Sequence, residues 1–505
     1  MLDEPPQSST RPLLIRRALL PVPEEGGFQE RDILIQHGVI QEVAAAGLPA
    51  PGDAQVLDAS EHIVIPGLVN SHTHSHFAYG RGYADLWTLE LHQNSGGGLG
   101  YGASLEDLRL GAMLGAADMI RNGCTAAYDM VLQNPFPSAE GMAAVAEGYR
   151  STGMRAVVAA AVTDRTFWES IGGLIGSLPE DSAAFINSIK ATHADDHASG
   201  LKKVLDDWPF DTRQLRPAIA PSVPLLCSEA FLADMAAMAR EYGVSLQTHL
   251  AESKVQAIEA QRRWGVSLTE HLAQRGILGP NVSVAHAVWV SNGDIRILAD
   301  HGVGVAHNPG SNMRLGNGIA PVAAMLEQGI NIGLGTDACT CGDQQNMIEA
   351  MRLASFASRV CGPDPSRWLS AGQAFNMATV GSAAVLGFPD IGKLEPGYRA
   401  DVVFLDRTEL AYLPLNNFWT QLVFSETGRG VRRVMIEGRI VYDNGRYTAF
   451  DYPKLRREVH ARAEHLARTG KGRRIKLKGL EPIISRFCVG LARTPLAFSR
   501  YVDQG

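Results

Sequence analysis

Three histidines occupy alternate positions in the stretch VIPGLVNSHTHSH, namely His72, His74 and His76. They follow the run HIVIPGLV, whose continuous apolar character is typical of a strand buried on both faces. Residues i and i+2 of a strand lie on the same face, roughly 6.5 Å apart, so two such imidazoles can converge on one ion. A His-x-His pair at an exposed strand end would need no ligand. At the end of a buried strand, however, the histidines either point into a site or carry a cost of burial.

Other strand-like segments also end in residues that can bind a metal or transfer a proton. His249 ends VSLQTHL, His286 ends VSVAHAV and Asp337 ends NIGLGTDA. Three neutral imidazoles and one carboxylate suit Zn²⁺ or Fe²⁺ and leave a position for water, whose pKa the cation lowers toward neutrality. Glu252, in THLAESK, can then move protons between water and substrate. Taken alone, Glu252 could equally be a first-turn helix residue favoured by the helix dipole.

These residues can meet if the middle of the chain folds as a parallel barrel. Between roughly residues 67 and 388, strand-like segments alternate with Ala- and Leu-rich helical ones such as SEAFLADMAAMAREYG, and we count eight candidate strands. About eight β-then-α units favour a closed (β/α)8 TIM-type barrel, in which the carboxyl ends of all strands share one mouth. The alternative is an open doubly wound sheet, although no Gly-x-Gly-x-x-Gly opens any of the helices.

The two flanks and the tail have different patterns. Short β-branched runs with Gly, Pro and Asp between them predict strands and turns before residue 66 and again between residues 389 and 450. Residues 451–505 are basic, and we predict a C-terminal helix and tail that is solvated or packs against another subunit.

Composition gives further expectations about partners and compartment. The 505-residue chain has a net charge of −7, which favours no polyanionic partner, so we expect neither nucleic acid nor membrane binding. Its six cysteines form no disulfide framework, and the N-terminus lacks the pattern of a secretory signal. We therefore expect a cytoplasmic protein.

Five motifs occur in an order and approximate spacing that resemble the amidohydrolase superfamily, in its cytosine deaminase-like and triazine hydrolase branch. They are PGLVNSHTH, QTHLAES, VAHAVWVS, VAHNPGSNMRLGNGIAPV and GLGTDA. The similarity runs from residue 12 to about residue 450. It implies that residues 1–66 and 389–450 form one small composite β-sandwich beside a catalytic barrel of residues 67–388.

The resemblance also implies roles for individual residues. One divalent ion, Zn²⁺ or alternatively Fe²⁺, would be held by His72, His74, His249 and Asp337. Glu252 would shuttle a proton, while His286 and Asp337 would orient the nucleophile and assist proton transfer. Binuclear relatives carry a carboxylated lysine at the end of the fourth strand, and RPAIAPSVPLLCS has none, so a mononuclear site is expected.

The residues that contact the substrate are harder to assign. Our candidates are His76, Trp87, His92, Ser222 and Asn312. Ser222 stands where nucleoside deaminases of this branch often carry a histidine, which weakens a nucleoside assignment. Gly96, Gly97 and Gly98 in RGYADLWTLELHQNSGGGLGYG suggest a lid or simply a long flexible loop.

The function expected from these features is hydrolysis of a carbon–nitrogen bond in a small molecule. Hydrolytic deamination of an aminated heterocycle is favoured, because Glu252 can protonate the leaving amine. Cleavage of a linear amide, urea or carbamate is the alternative within the same chemistry. A noncatalytic barrel scaffold is disfavoured because every expected ligand position is filled, and we expect a homo-oligomer, a dimer or larger.

Overall fold

The computed structural model describes residues 11–22, 27–83, 85–96, 102–342 and 344–502. The strands are β1 (Leu13–Pro21), β2 (Phe28–Gln36), β3 (Val39–Ala45), β4 (Gln55–Asp58), β5 (His62–Pro66), β6 (Leu68–Thr73), β7 (Cys124–Leu132), β8 (Arg155–Val162), β9 (Leu215–Pro221), β10 (Leu246–Leu250), β11 (Val282–His286), β12 (Gly304–His307), β13 (Ile332–Leu334), β14 (Val402–Asp406), β15 (Val431–Ile436), β16 (Arg439–Asp443) and β17 (Arg446–Tyr447).

The α-helices lie between and after these strands. They are α1 (Leu89–Gly96), α2 (Leu105–Arg121), α3 (Ala139–Thr152), α4 (Phe167–Ser170), α5 (Glu180–Ser188), α6 (Ala194–Asp206), α7 (Glu229–Tyr242), α8 (Lys254–Trp264), α9 (Leu268–Gln274), α10 (Asn292–Asp300), α11 (Pro309–Arg314), α12 (Val322–Glu327), α13 (Met347–Val360), α14 (Ala371–Asn376), α15 (Ser382–Leu386), α16 (Phe418–Phe424), α17 (Tyr452–Thr469) and α18 (Lys471–Ala492). None of the helices in the described ranges is long and apolar enough to cross a membrane.

Strands β6 to β13 form the predicted barrel. All eight are parallel and lie in sequential order, with at least one helix between each consecutive pair. At their carboxyl ends the first and last strands are joined by hydrogen bonds, from Asp337 N to His72 O at 3.0 Å and from Asn70 Nδ2 to Thr336 Oγ1 at 2.7 Å. This arrangement confirms the (β/α)8 fold and brings the ends of distant strands to one mouth.

The apolar run HIVIPGLV differs from its prediction, because it forms two strands rather than one. β5 pairs with β14 in a separate sheet, whereas β6 begins the barrel. The chain turns at Gly67, where an added Cβ would lie 2.2 Å from Thr125 Oγ1. Only glycine therefore lets the chain pass from one sheet into the other this close to β7.

Strands from both ends of the chain form a second sheet of nine strands, mostly antiparallel. Its central path runs β17-β16-β15-β14-β5-β1-β2-β3, and β4 pairs with β1. The sheet folds back on itself, since Ile40 N donates to Tyr398 O at 2.9 Å, and the fold encloses an apolar cluster that includes Ile33, Val64 and Phe404. The predicted joining of the N- and C-terminal β segments is thus observed.

The C-terminal segment packs on the barrel of its own chain. Leu477, Leu480 and Ile484 of α18 are buried in a cluster with Leu91 of α1 and Val255 of α8. We predicted a solvated or subunit-packing segment. Most of α17 is exposed, whereas α18 buries an apolar face against its own chain, and packing against another subunit stays a prediction. Helix α1 occupies part of the predicted lid, where Gly96 is its last residue and Gly97 and Gly98 lie outside the described residues.

Candidate metal centre and active site

The four predicted ligands meet at the carboxyl ends of three barrel strands. His72 is the penultimate residue of β6 with His74 just beyond the strand, His249 lies in β10, and Asp337 follows β13. The ring centroid of His72 lies 4.6 Å from that of His74 and 5.0 Å from that of His249. None of these four residues is more than 9% exposed. The sequence prediction that they share one site therefore agrees with the observed geometry.

Each of the three imidazoles is fixed through its Nδ1 atom. His72 Nδ1 lies 2.7 Å from Gln247 Oε1, His74 Nδ1 lies 2.7 Å from Met130 O, and His249 Nδ1 lies 2.6 Å from Ser222 O. These oxygens only accept hydrogen bonds, so Nδ1 carries the proton and the Nε2 lone pair remains available to a cation.

The Nε2 atom of His72 needs a partner that the described residues do not supply. His72 Nε2 is buried without a hydrogen-bond partner among the described residues, which is costly unless another group binds it. Potential ligand atoms of His72, His74 and His249 lie within 4.8 Å of one another, as do those of His72, His286 and Asp337. The donor set therefore fits a divalent metal ion.

Asp337 supplies the anionic member of the cluster. Its Oδ1 lies 3.6 Å from His72 Nε2 and 3.3 Å from His74 Nε2, and its Oδ2 accepts from Ser311 Oγ at 2.6 Å. Burial alone would raise the pKa of Asp337, but its interactions with the nearby His72, His74 and His286 hold the pKa well below its ordinary value. The group is therefore a carboxylate suited to a cation.

Glu252 and His286 lie beside this cluster. Glu252 Oε1 is 3.8 Å from His286 Nδ1 and accepts from Asn317 Nδ2 at 3.1 Å. Burial, together with the charges of Asp337 and Glu90, raises the pKa of Glu252 well above its usual range. Burial also lowers the pKa of His286 to about 4, so its imidazole is neutral. A carboxyl group of this kind can hold or release a proton next to a neutral base.

The backbone turns sharply where the strands end. His286 and Asp337 have φ values of +70° and +59°, and Ala251, next to Glu252, has +43°. Left-handed conformations at non-glycine residues cost on the order of 1–3 kcal/mol each and are concentrated at functional sites. Here they occur where the chain leaves the barrel strands, at or next to the three side chains of Glu252, His286 and Asp337 that lie at the mouth.

Two of the predicted substrate residues lie next to the cluster. The His76 ring is 5.5 Å from that of His74, and its Nδ1 accepts from Leu132 N at 3.3 Å. Asn312 Oδ1 is 2.8 Å from His286 Nδ1, and Asn312 Nδ2 is buried without a hydrogen-bond partner in the described part of the chain. Both positions are compatible with substrate contact, which remains a prediction.

The other three candidates have partners within the protein. His92 Nε2 is 2.9 Å from Thr340 Oγ1, and burial lowers the pKa of His92 to about 4. Trp87 Nε1 donates to Glu481 Oε1 of α18 at 3.2 Å. Ser222 contributes its carbonyl oxygen to His249, so the backbone at this position supports the cluster.

Sequence reasoning missed the residues that hold the ligands in place. Gln247 stands two positions before His249 in β10, on the same face of the strand, and this spacing could have revealed it. Asn317 and Ser311 lie after β12 within the motif VAHNPGSNMRLGNGIAPV, which marks the segment but does not reveal the partners of these two side chains. Their role depends on contacts across the mouth.

Comparison with known proteins agrees with this site. A model of the amidohydrolase family matches residues 63–441. The 5′-deoxyadenosine deaminase of Methanosarcina mazei is 31% identical over 88% of this chain and 95% of its own. The 5-methylthioadenosine/S-adenosylhomocysteine deaminase of Syntrophomonas wolfei subsp. wolfei is 32% identical over 91% of this chain and 99% of its own.

Solved structures share the fold. An adenosine deaminase from Xanthomonas campestris with bound zinc has a TM-score of 0.79 at 24% identity, covering 90% of this chain and 98% of its own. The atrazine chlorohydrolase of Arthrobacter aurescens TC1, complexed with zinc, has a TM-score of 0.78 at 25% identity, covering 89% of this chain and all of its own, 100%. The match over most of the chain, with the strand-end cluster it contains, shows that this protein belongs to the amidohydrolase family.

Proposed function

We propose that the chain removes an exocyclic amino group from an aminated heterocycle by hydrolysis, with one zinc ion held by His72, His74, His249 and Asp337. The observation that carries the proposal is the set of three imidazoles whose Nδ1 atoms are fixed by acceptors, next to a carboxylate. When bound there, a zinc ion supplies Lewis acidity that makes water a nucleophile near neutral pH.

The residues around the cluster then move protons. Glu252 accepts a proton from the attacking water and donates it to the substrate, so that the amine leaves as ammonia. The neutral imidazole of His286 and the carboxylate of Asp337 orient the water by accepting its hydrogen bonds. Asn317 holds the Glu252 carboxyl group through one oxygen, which leaves the other oxygen for proton transfer. Water plus the amino heterocycle yields the oxo heterocycle plus ammonia.

The relatives support aminopurines as the first substrate class to test, because their names refer to deaminases of 5′-deoxyadenosine and of 5-methylthioadenosine or S-adenosylhomocysteine. Ser222, in place of the histidine of many nucleoside deaminases in this branch, argues against an identical mode of binding. The proposal is therefore an aminated heterocycle, with purine nucleosides tested first.

One metal ion is favoured by the fourth barrel strand. The sequence of β9, LRPAIAP, contains no lysine that could bridge two ions. Zinc is favoured over iron because structurally similar proteins contain it. A cytoplasmic homo-oligomer also remains part of the proposal.

A panel assay tests the function. Purified protein with measured metal content is incubated with aminated purines and their nucleosides, pterins, pyrimidines and triazines, beside ureas and anilides, and ammonia release is recorded. Ammonia from a heterocycle, lost on chelation and restored by zinc, would support the proposal. Turnover of ureas or anilides alone would instead favour the linear-amide alternative. An unchanged rate after complete metal removal would exclude the proposed chemistry.

A further inference from the structure

The chain continues beyond the segment that the family model matches, which ends at residue 441. After α17 and α18, Phe498, Arg500 and Tyr501 contact the loops that follow β11 and α11. The loop after β11 directly follows His286, and the loop after α11 contains Asn317, which donates to Glu252. The C-terminal segment is therefore in a position to affect the active site from outside the matched region.

Arg500 joins these two loops. Its carbonyl oxygen accepts from Ile319 N at 2.8 Å. Its guanidinium group donates to Val288 O, at 3.2 Å from Nε, and to Val290 O through Nη2. Both of these carbonyls follow His286 closely in the chain, so a single side chain fixes the loop that leaves β11.

The approach of Arg500 requires the residue next to Ile319 to be glycine. Gly318 has a φ of +107°, and a Cβ added there would lie 2.8 Å from Arg500 O. A side chain at this position would therefore be strained and would push the C-terminal segment away. The two backbones are closely fitted to each other.

Trp289 connects the C-terminal segment to the residues beside Glu252. Its ring is 5.0 Å from that of Tyr501, edge to face, and only 3% of the residue is exposed. Its Nε1 donates to Asn317 O at 2.7 Å. The indole thus holds the backbone of the residue that donates to Glu252.

Asn317 connects the loop to both proton-transfer residues. Its Nδ2 donates to Glu252 Oε1 at 3.1 Å. Its backbone N donates to Asn312 O at 2.8 Å, and Asn312 Oδ1 lies 2.8 Å from His286 Nδ1. An unbroken series of direct contacts therefore leads from the C-terminal segment to Glu252 and His286.

We propose that Arg500 is a positioning residue for catalysis: it fixes the loops after β11 and α11 so that Asn317 holds Glu252 in the geometry for proton transfer. This inference rests on the proposed role of Glu252. Displacements of about 1 Å at a reacting group can lower a rate by about 100-fold, so loosening these loops should affect kcat more than substrate binding.

The test compares Arg500→Ala, Arg500→Lys and the matched control Arg493→Ala, an exposed arginine on the same segment. The substrate is the heterocycle identified by the ammonia panel, with 5′-deoxyadenosine as the first candidate. We expect Arg500→Ala to lower kcat per metal-loaded site by about 10-fold or more, with KM within about twofold and full metal content. Arg500→Lys should show a smaller loss in the same direction, and Arg493→Ala none.

A double-mutant cycle with Asn317→Ala tests the route. If Arg500 acts through Asn317, Arg500→Ala should change kcat by less than about twofold in the Asn317→Ala background. A full additional loss in that background would overturn the inference, as would an unchanged kcat per loaded site in Arg500→Ala even if its thermal stability falls. Glu252→Gln distinguishes a failure of the proposed function from a failure of the proposed role of Arg500. If Glu252→Gln keeps the wild-type rate, the proposed role of Glu252 in catalysis is wrong.

A measurement without substrate completes the test. Amide hydrogen exchange at residues 317–319 should become faster in Arg500→Ala and Arg500→Lys but stay unchanged in Arg493→Ala. Exchange that stays at the wild-type rate in all three variants would show that the Arg500 side chain does not fix this loop.

Discussion

Glu252 and Asp337 are two carboxyl groups in one buried site whose pKa values move in opposite directions. Asp337 lies among imidazoles that lower its pKa, whereas Glu252 has one amide donor and lies near other negative charges that raise its pKa. Different surroundings thus prepare one carboxyl group for a cation and the other for a proton.

Substitution should separate these two roles. Glu252→Gln keeps the shape and the hydrogen bond to Asn317, so we expect full metal content with kcat reduced by about 100-fold or more. Asp337→Ala should lose both metal and turnover, because it removes the anionic ligand. Elemental analysis and steady-state kinetics measure the two quantities. A wild-type rate in metal-loaded Glu252→Gln would place the proton shuttle at another residue.

The raised pKa of Glu252 also predicts a pH effect on the metal-free protein. The unfolded chain has an ordinary glutamate pKa of about 4.3, so between this value and the raised pKa the folded state holds more protons than the unfolded state. The contribution of Glu252 to stability is therefore present at low pH and lost as pH rises. The melting temperature of metal-free Glu252→Gln should exceed that of metal-free wild type by more at about pH 8 than at about pH 5. A constant difference across this range would contradict the shift.

At the scale of elements, helix α1 is held over the barrel mouth by contacts from two other helices. Glu481 of α18 accepts from Trp87 Nε1 at 3.2 Å and from Ser95 Oγ at 2.8 Å. Ser253, which precedes α8, donates to Glu90 Oε1 of α1 at 2.7 Å. The position of α1 therefore depends on a C-terminal helix that is distant in sequence.

Removal of the shared acceptor should loosen α1. Glu481→Ala leaves two donors without a partner, and we expect the local stability of α1 to fall by about 1–3 kcal/mol. Faster amide hydrogen exchange in Leu89–Gly96 measures the effect. Glu458→Ala on α17 is the control, since its carboxylate is 37% exposed and 3.9 Å from Lys454. Equal exchange in the two variants would show that Glu481 does not hold α1.

At the scale of the whole molecule, a buried ion pair joins the barrel to the terminal sheet. Arg155 of β8 is fully buried, and its Nη2 lies 3.5 Å from Asp401 Oδ1, just before β14. Asp401 Oδ1 also accepts from Glu437 N at 2.9 Å, in the turn after β15. Arg155 Nη2 also lies 3.7 Å from Glu437 Oε1, so removal of Asp401 would leave the buried guanidinium with one longer and partly exposed ion pair.

Breaking this pair should destabilise the molecule as a whole. Asp401→Ala leaves the Arg155 charge buried, and we expect the free energy of unfolding to fall by about 3–5 kcal/mol. Denaturant titration measures the change. Asp211→Ala is the control, since its ion pair with Arg213 is exposed and should contribute less than about 1 kcal/mol. Similar losses in both variants would mean that the buried pair has no special role.

The sequence by itself determined the barrel and the identity of its strand-end residues. Alternating strand and helix patterns fix the number of units, and the barrel geometry then brings all carboxyl ends together whatever their spacing in the chain. His72, His249 and Asp337 could therefore be assigned to one site before any coordinates were known. Gln247 was within reach of the same reasoning, because it shares a strand face with His249.

The tertiary structure alone decided the division of HIVIPGLV, the packing of α18 and the contacts of Asn317 and Arg500. A buried strand has the same apolar pattern in either sheet, so only the close approach of Thr125 to Gly67 shows where one strand ends. Arg500 and Ile319, which is the nearest in sequence of its partners in these loops, are 181 positions apart. Contacts over such a separation leave no local periodicity in the sequence. Their existence depends on which surfaces meet after folding, which is decided by the packing of the whole chain.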